Sequence, residues 1–238
     1  MTKPDYDPDS LPPIGFRSSQ QDINLGRSAL LIIDMIYGNA ARDYGLCAIL
    51  TQQGVSVEYF IDRVDHLLVP HIQRLRALAA RAGSPVIYTA IGSTYDDFSD
   101  VHPNLRPVMQ QWNQRIGDRT CQVLDPLVPA AGDLVLTKRA SSAWNGTDID
   151  IILRARGVDH VIVCGVVTNG CVLTTAIDAW DRGYRVTVPE DACATMRGPR
   201  SHDMAVEIMR DYGMDVTTTD ALCGTARQEN IQVGMETA

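Results

Sequence analysis

No apolar run in this 238-residue chain approaches the 18 or more residues of a membrane span, so none of it is expected to cross a bilayer. Positive charge is in the minority: 21 lysines and arginines against 29 aspartates and glutamates give a formal net charge of −8. An acidic balance argues against non-specific nucleic-acid binding and against docking on an anionic membrane. It leaves room for an anionic substrate, because one local arginine overrides the global field. The opening stretch MTKPDYDPDSLPPIGFRSSQQD has no apolar core of the signal-peptide kind, so a cytoplasmic location is expected. The cysteines (Cys47, Cys121, Cys164, Cys171, Cys193 and Cys223) form no CxxC pair and are too scattered for a disulfide framework. Internal repeats, low-complexity tracts and long charge runs are also lacking.

What is present suits one globular domain. The 45% hydrophobic content is ordinary and calls for no structural metal. Residues 1–27, rich in proline and poor in periodic apolar residues, read as an N-terminal arm, and 28–238 as a single domain. Short runs at 29–34, 85–89, 134–138, 160–165, 184–191 and 214–220 read as strands, the continuous apolar run 29–34 as a buried parallel one. Helical periodicity covers 57–82, where Pro70 should kink or divide the helix, and also 147–156, 170–182 and 201–212. Long loops fill 35–56 and 91–131. Strands alternating with helices at this spacing predict βαβ units around a parallel sheet.

In an open parallel sheet, ligands bind at the carboxyl ends of the strands. Asp34 ends the first strand, Lys138 ends the third, and Cys171 follows the fourth at a helix start. Taken singly, each has a commoner role: a cap, a solvated charge, a buried inert thiol. Their shared position points to chemistry. A helix N-terminus and a nearby ammonium both favour a thiolate. Asp34 would take the thiol proton and return it to a leaving amine, and backbone N–H groups at the helix start would face a developing oxyanion.

The stretch VIVCGVVTNGCVLTTAIDAWDRGY (161–184) resembles the signature of the isochorismatase-like cysteine hydrolase superfamily, G-V/C-x-T-x-x-C-V after an apolar strand. LLIIDM at Asp34 and VLTKRASSAW at Lys138 match its other two landmarks, in family order, so the resemblance covers about residues 28–220. It implies a Rossmann-like three-layer αβα fold with a six-stranded parallel sheet, and a covalent intermediate on Cys171. It also implies a non-proline cis peptide at Val166–Val167 and an oxyanion hole from the Val167 and Cys171 N–H groups. Within the superfamily the chain looks most like the N-carbamoylsarcosine amidase and maleamate amidohydrolase subgroup. The segments Ser142-Ala143-Trp144-Asn145-Gly146-Thr147 and Arg197-Gly198-Pro199-Arg200-Ser201-His202 echo that subgroup. By that likeness Arg197 clamps a substrate carboxylate, a task suited to the paired donors of a guanidinium. Tyr37, Trp112, Trp144 and Thr168 are candidates to line the pocket, and His202 to orient the Arg197 loop or cap the following helix.

Trp144-Asn145 replaces two aromatic residues of the subgroup, and the loop after Asp34 is longer. No Asp-X-His triplet follows Asp34, and His66 and His71 read as a solvated helix face, so neither metal nor cofactor is expected. The expected activity is cleavage of a linear amide or ureido (N-carbamoyl) bond in a small carboxylate-bearing compound. The alternatives are isochorismatase-type vinyl-ether hydrolysis, which needs no thiol, and a non-catalytic scaffold that keeps the fold. The expected partners are a small-molecule substrate and further copies of the chain, as a homo-oligomeric dimer or tetramer, with no nucleic acid or membrane.

Overall fold

The structure is a computed structural model, and residues 23–224 are described; most of the expected arm and residues 225–238 lie outside that range. The strands are β1 (Ser28–Ile33), β2 (Val86–Ile91), β3 (Leu134–Lys138), β4 (His160–Val166), β5 (Arg185–Pro189), β6 (Cys193–Ala194) and β7 (Asp215–Thr217). Six of them pair in the order β3-β2-β1-β4-β5-β7, all parallel. The sheet therefore has seven strands rather than the expected six. The extra strand is the two-residue β6, which pairs with β4 beside the main path at Gly165 and Val166. Two residues are too few to show any period in a sequence.

Helices flank the sheet: α1 (Tyr37–Ala40), α2 (Gly45–Gln52), α3 (Glu58–Arg63), α4 (Val69–Ala82), α5 (Arg106–Gln111), α6 (Ile149–Ala155), α7 (Leu173–Asp181) and α8 (Pro199–Asp211). The expected helix over 57–82 is α3 and α4 joined by a wide turn at Val64–Leu68. That turn lies just before Pro70, whose missing N–H and ring clash disfavour regular helix there. Gly83 in the left-handed conformation (φ 69°) ends α4, and the Ser84 N–H closes onto Ala79 O at 3.0 Å. The expected loop 35–56 carries α1 and α2, and the loop 91–131 carries α5.

All six residues of β1 are buried, as are all seven of β4. Each fully buried leucine or isoleucine there contributes roughly 1.5–3 kcal/mol of hydrophobic stabilisation. β3 is an edge strand, and its Val135 side is half exposed. The chain runs outward from β1 through β2 to β3, then returns to lay β4 on the other side of β1. The direction of winding thus reverses between β1 and β4, and the crevice at such a reversal is where α/β sheets bind ligands.

Candidate active site

Asp34 follows β1 directly and has positive φ (50°), which turns the chain off the strand while the carboxylate stays fully buried. Thr89 in β2 fixes it twice. The Asp34 N–H donates to Thr89 Oγ1 at 3.1 Å, and Thr89 Oγ1 donates to Asp34 Oδ1 at 2.9 Å. Lys138 ends β3, two strands away. Its side chain puts Nζ 2.8 Å from Asp34 Oδ2 and 3.3 Å from Cys171 Sγ. The ammonium also donates to Ala140 O at 2.9 Å and Ser141 O at 2.8 Å. All three groups expected to meet do so, from the ends of β1, β3 and β4.

Cys171 lies in a wide turn, Thr168–Val172, between β4 and α7. Gly170 breaks helical geometry in that turn (φ −135°, ψ −106°), and the Val166–Val167 peptide before it is cis. Gly165 opens the approach. At φ +115° it packs so closely on β1 that an added Cβ would lie 2.2 Å from Ile33 O. β4 and the strand of Asp34 are therefore as close as backbone permits, one residue before Asp34 and six before Cys171.

Opposing effects act on the thiol. Burial pushes the Cys171 thiol up to about 12, Lys138 pulls it down, and Asp34, which hydrogen-bonds it, pushes it up again. Desolvation outweighs the ammonium, so burial disfavours the thiolate. For Lys138, burial works against the charge, but Asp34 and Cys171 outweigh it and raise its pKa. The buried Asp34 carboxylate thus meets both the Lys138 ammonium and the thiol that carries the proton. A protonated thiol, an adjacent carboxylate and an ammonium bridging them form an arrangement able to make the nucleophile on demand.

The remaining candidates fall in different places. Arg197 is exposed, and its guanidinium has no hydrogen bond or ion pair among the described residues. Thr168 is fully buried, and its hydroxyl is engaged by His202 Nδ1 at 3.0 Å. Tyr37 is half-buried, with its ring 3.8 Å from the Arg119 guanidinium carbon and its hydroxyl accepting from Arg119 Nη2. Trp144 packs in the core instead of facing an open pocket. It donates Nε1–H to Thr175 O at 3.1 Å and stacks on Tyr184 with ring centroids 5.3 Å apart. Its indole has an apolar face to bury and a donor to satisfy, and the neighbouring helix meets both needs. Sequence reasoning missed Thr89, whose signal was a hydroxyl inside the buried run VIYTAI.

A cavity of about 580 Å³ opens at the opposite end of the sheet against Arg76, Pro85, Val86 and Asp133. None of the three reactive groups lines it, so volume is a poor guide here. A second groove of about 480 Å³ is lined by Ala140, Ser141 and Thr174. It adjoins the carbonyls that hold Lys138, and Thr174 Oγ1 donates to Cys171 O at 3.3 Å. Among the described residues no cluster of three or more His, Cys, Asp or Glu side chains could hold a metal ion, and no helix is long and apolar enough to cross a membrane.

An isochorismatase-domain family model matches residues 28–221. The chain is 32% identical over 206 residues to a maleamate amidohydrolase of Pseudomonas putida, covering 85% of this chain and 89% of that protein. Among solved structures, a cysteine hydrolase from Pseudomonas syringae pv. phaseolicola superposes with a TM-score of 0.71 at 27% identity, covering 88% of this chain and 96% of that one. An N-carbamoylsarcosine amidase from Thermoplasma acidophilum gives a TM-score of 0.62 at 32% identity, covering 82% and 97%.

Proposed function

The chain belongs to the isochorismatase family, and on that premise we propose that it is a cysteine hydrolase cleaving a linear amide or ureido C–N bond in a small carboxylate-bearing substrate. One observation carries the reading: Lys138 Nζ contacts both the buried Asp34 carboxylate and the Cys171 thiol. Folding alone has no use for a buried ion pair set against a thiol, since such pairs are often no more stabilising than apolar packing.

Asp34 Oδ2 takes the thiol proton as Sγ attacks the substrate carbonyl carbon. The N–H groups of Val167 and Cys171 then face the oxyanion, and Lys138 keeps positive charge beside the group that gives up its proton. Collapse breaks the C–N bond, and Asp34 returns the proton to the departing ammonia or amine. Water then attacks the acyl-sulfur bond, giving its proton to Asp34, and Asp34 reprotonates the thiolate as the acid leaves. Arg197, exposed and with a guanidinium free of partners among the described residues, takes the substrate carboxylate in this reading. A dicarboxylic monoamide or an N-carbamoyl acid fits this set, and the names of the two amidohydrolase relatives support the same class.

The test is ammonia release by wild type and Cys171→Ala over a panel of dicarboxylic monoamides and N-carbamoyl acids. Turnover of a carboxylate-bearing member, lost in the variant, is the expected result. Undiminished turnover by Cys171→Ala would rule out the covalent route. Silence across the whole panel would favour vinyl-ether hydrolysis or a non-catalytic role.

A further inference from the structure

The turn that carries Cys171 is gripped from one side by a single short segment. Thr195 Oγ1 donates to Asn169 Oδ1 at 2.7 Å, and His202 Nδ1 meets Thr168 Oγ1 at 3.0 Å. Thr195 and His202 flank Arg197 in sequence, and the Arg197 N–H itself donates to Thr195 Oγ1 at 3.3 Å. A chain of hydrogen bonds therefore runs from the Arg197 backbone through the Thr195 hydroxyl to Asn169, two residues before the nucleophile. The second grip reaches Thr168 from the first turn of α8, where the His202 N–H closes on Gly198 O at 3.3 Å.

These groups are not placed by packing. Thr168, Thr195 and His202 are all buried, and valine would fill the space of either threonine without a polar atom to satisfy. Burial together with the nearby Arg63 holds the His202 ring below its ordinary pKa, so it is neutral, with one ring nitrogen donating and the other accepting. Each hydroxyl is thus kept for the bond it makes. Both bonds join the nucleophile turn to the segment bearing Arg197.

We propose that Thr195 and His202 are positioning residues that tie the nucleophile turn to the Arg197 segment at two adjacent points, so that carboxylate capture and alignment of Cys171 are one event. This deepens the amidohydrolase reading and rests on it for the role of Arg197. The tie itself is a property of the turn and has a readout of its own.

The test uses the full-length chain, with thermal melting to confirm that each variant folds. Alkylation of Cys171 by iodoacetamide, followed by peptide mass, reports the alignment of the turn without a carboxylate or turnover. Ammonia release from maleamate reports kcat and KM. Thr195→Val should slow alkylation about tenfold and raise KM by a similar factor, on the scale of one lost buried hydrogen bond. Thr195→Ser, which restores the hydroxyl, should return both to within about twofold. His202→Leu and His202→Asn form a second pair with the same expected contrast, should Thr195→Val fail to fold. A lowered melting temperature with both rates unchanged per folded molecule overturns the proposal, as does slower alkylation with KM unmoved. If wild type releases no ammonia from maleamate or any other panel member, the amidohydrolase reading fails. The alkylation contrast between Thr195→Val and Thr195→Ser then decides the tie by itself.

Discussion

Lys138 Nζ and Asp34 Oδ2 lie 2.8 Å apart with both side chains wholly removed from solvent. Two charges in such a place depend on each other, because either one alone is an uncompensated buried ion. Lys138→Met and Asp34→Asn should each cost about 3–5 kcal/mol in urea unfolding. The double variant should lose far less than the sum. Additive losses would show that the pair is not coupled.

The raised pKa of Cys171 predicts a pH profile. Below about 12 the thiolate fraction of this group grows tenfold per pH unit. Iodoacetamide alkylation read at the Cys171 peptide should therefore climb with unit slope from about pH 7 to pH 10 and reach no plateau. A plateau near pH 7 would mean that the thiolate is already the resting form.

Arg197→Ala should raise KM for a carboxylate-bearing substrate about 10- to 100-fold, the range of a charge-assisted hydrogen bond. Arg197→Lys should recover only part of this, since an ammonium cannot present the paired donors of a guanidinium. An unchanged KM in Arg197→Ala would assign the carboxylate to another group.

Gly165→Ala joins two penalties, a side chain at φ +115° and a Cβ 2.2 Å from Ile33 O. The contact is with backbone, which cannot swing away, so β1 and β4 must separate. Loss of more than about 3 kcal/mol, or no soluble protein, is expected on the scale of severe steric mutations. A variant of wild-type stability by urea unfolding would contradict the packing described.

The fold was legible where physics acts along the chain. Parallel strands buried on both faces read as unbroken apolar runs, so β1 and β4 stand out in the sequence, and their ends place Asp34 and Cys171. Elements without a local signature were not legible. α1 and α2 are short and have no side-chain cap, and β6 exists only because β4 offers two residues of pairing. In the site, residue types and order brought Asp34, Lys138 and Cys171 together. Sequence could not weigh burial against charge, so the direction of the Cys171 shift was unreadable. Nor could it show that the Trp144 donor finds Thr175 O rather than a ligand.

Keeping Cys171 as a neutral thiol has a consequence for the durability of the enzyme. Peroxide attacks the thiolate, and damage then climbs through sulfenic acid to forms that are not reversed. A nucleophile that stayed ionised between turnovers would meet oxidants continuously. On the proposed mechanism the sulfur is charged only while a substrate draws its proton to Asp34. The burial that sets its resting state thus confines its exposure to oxidation to the moments when it is at work.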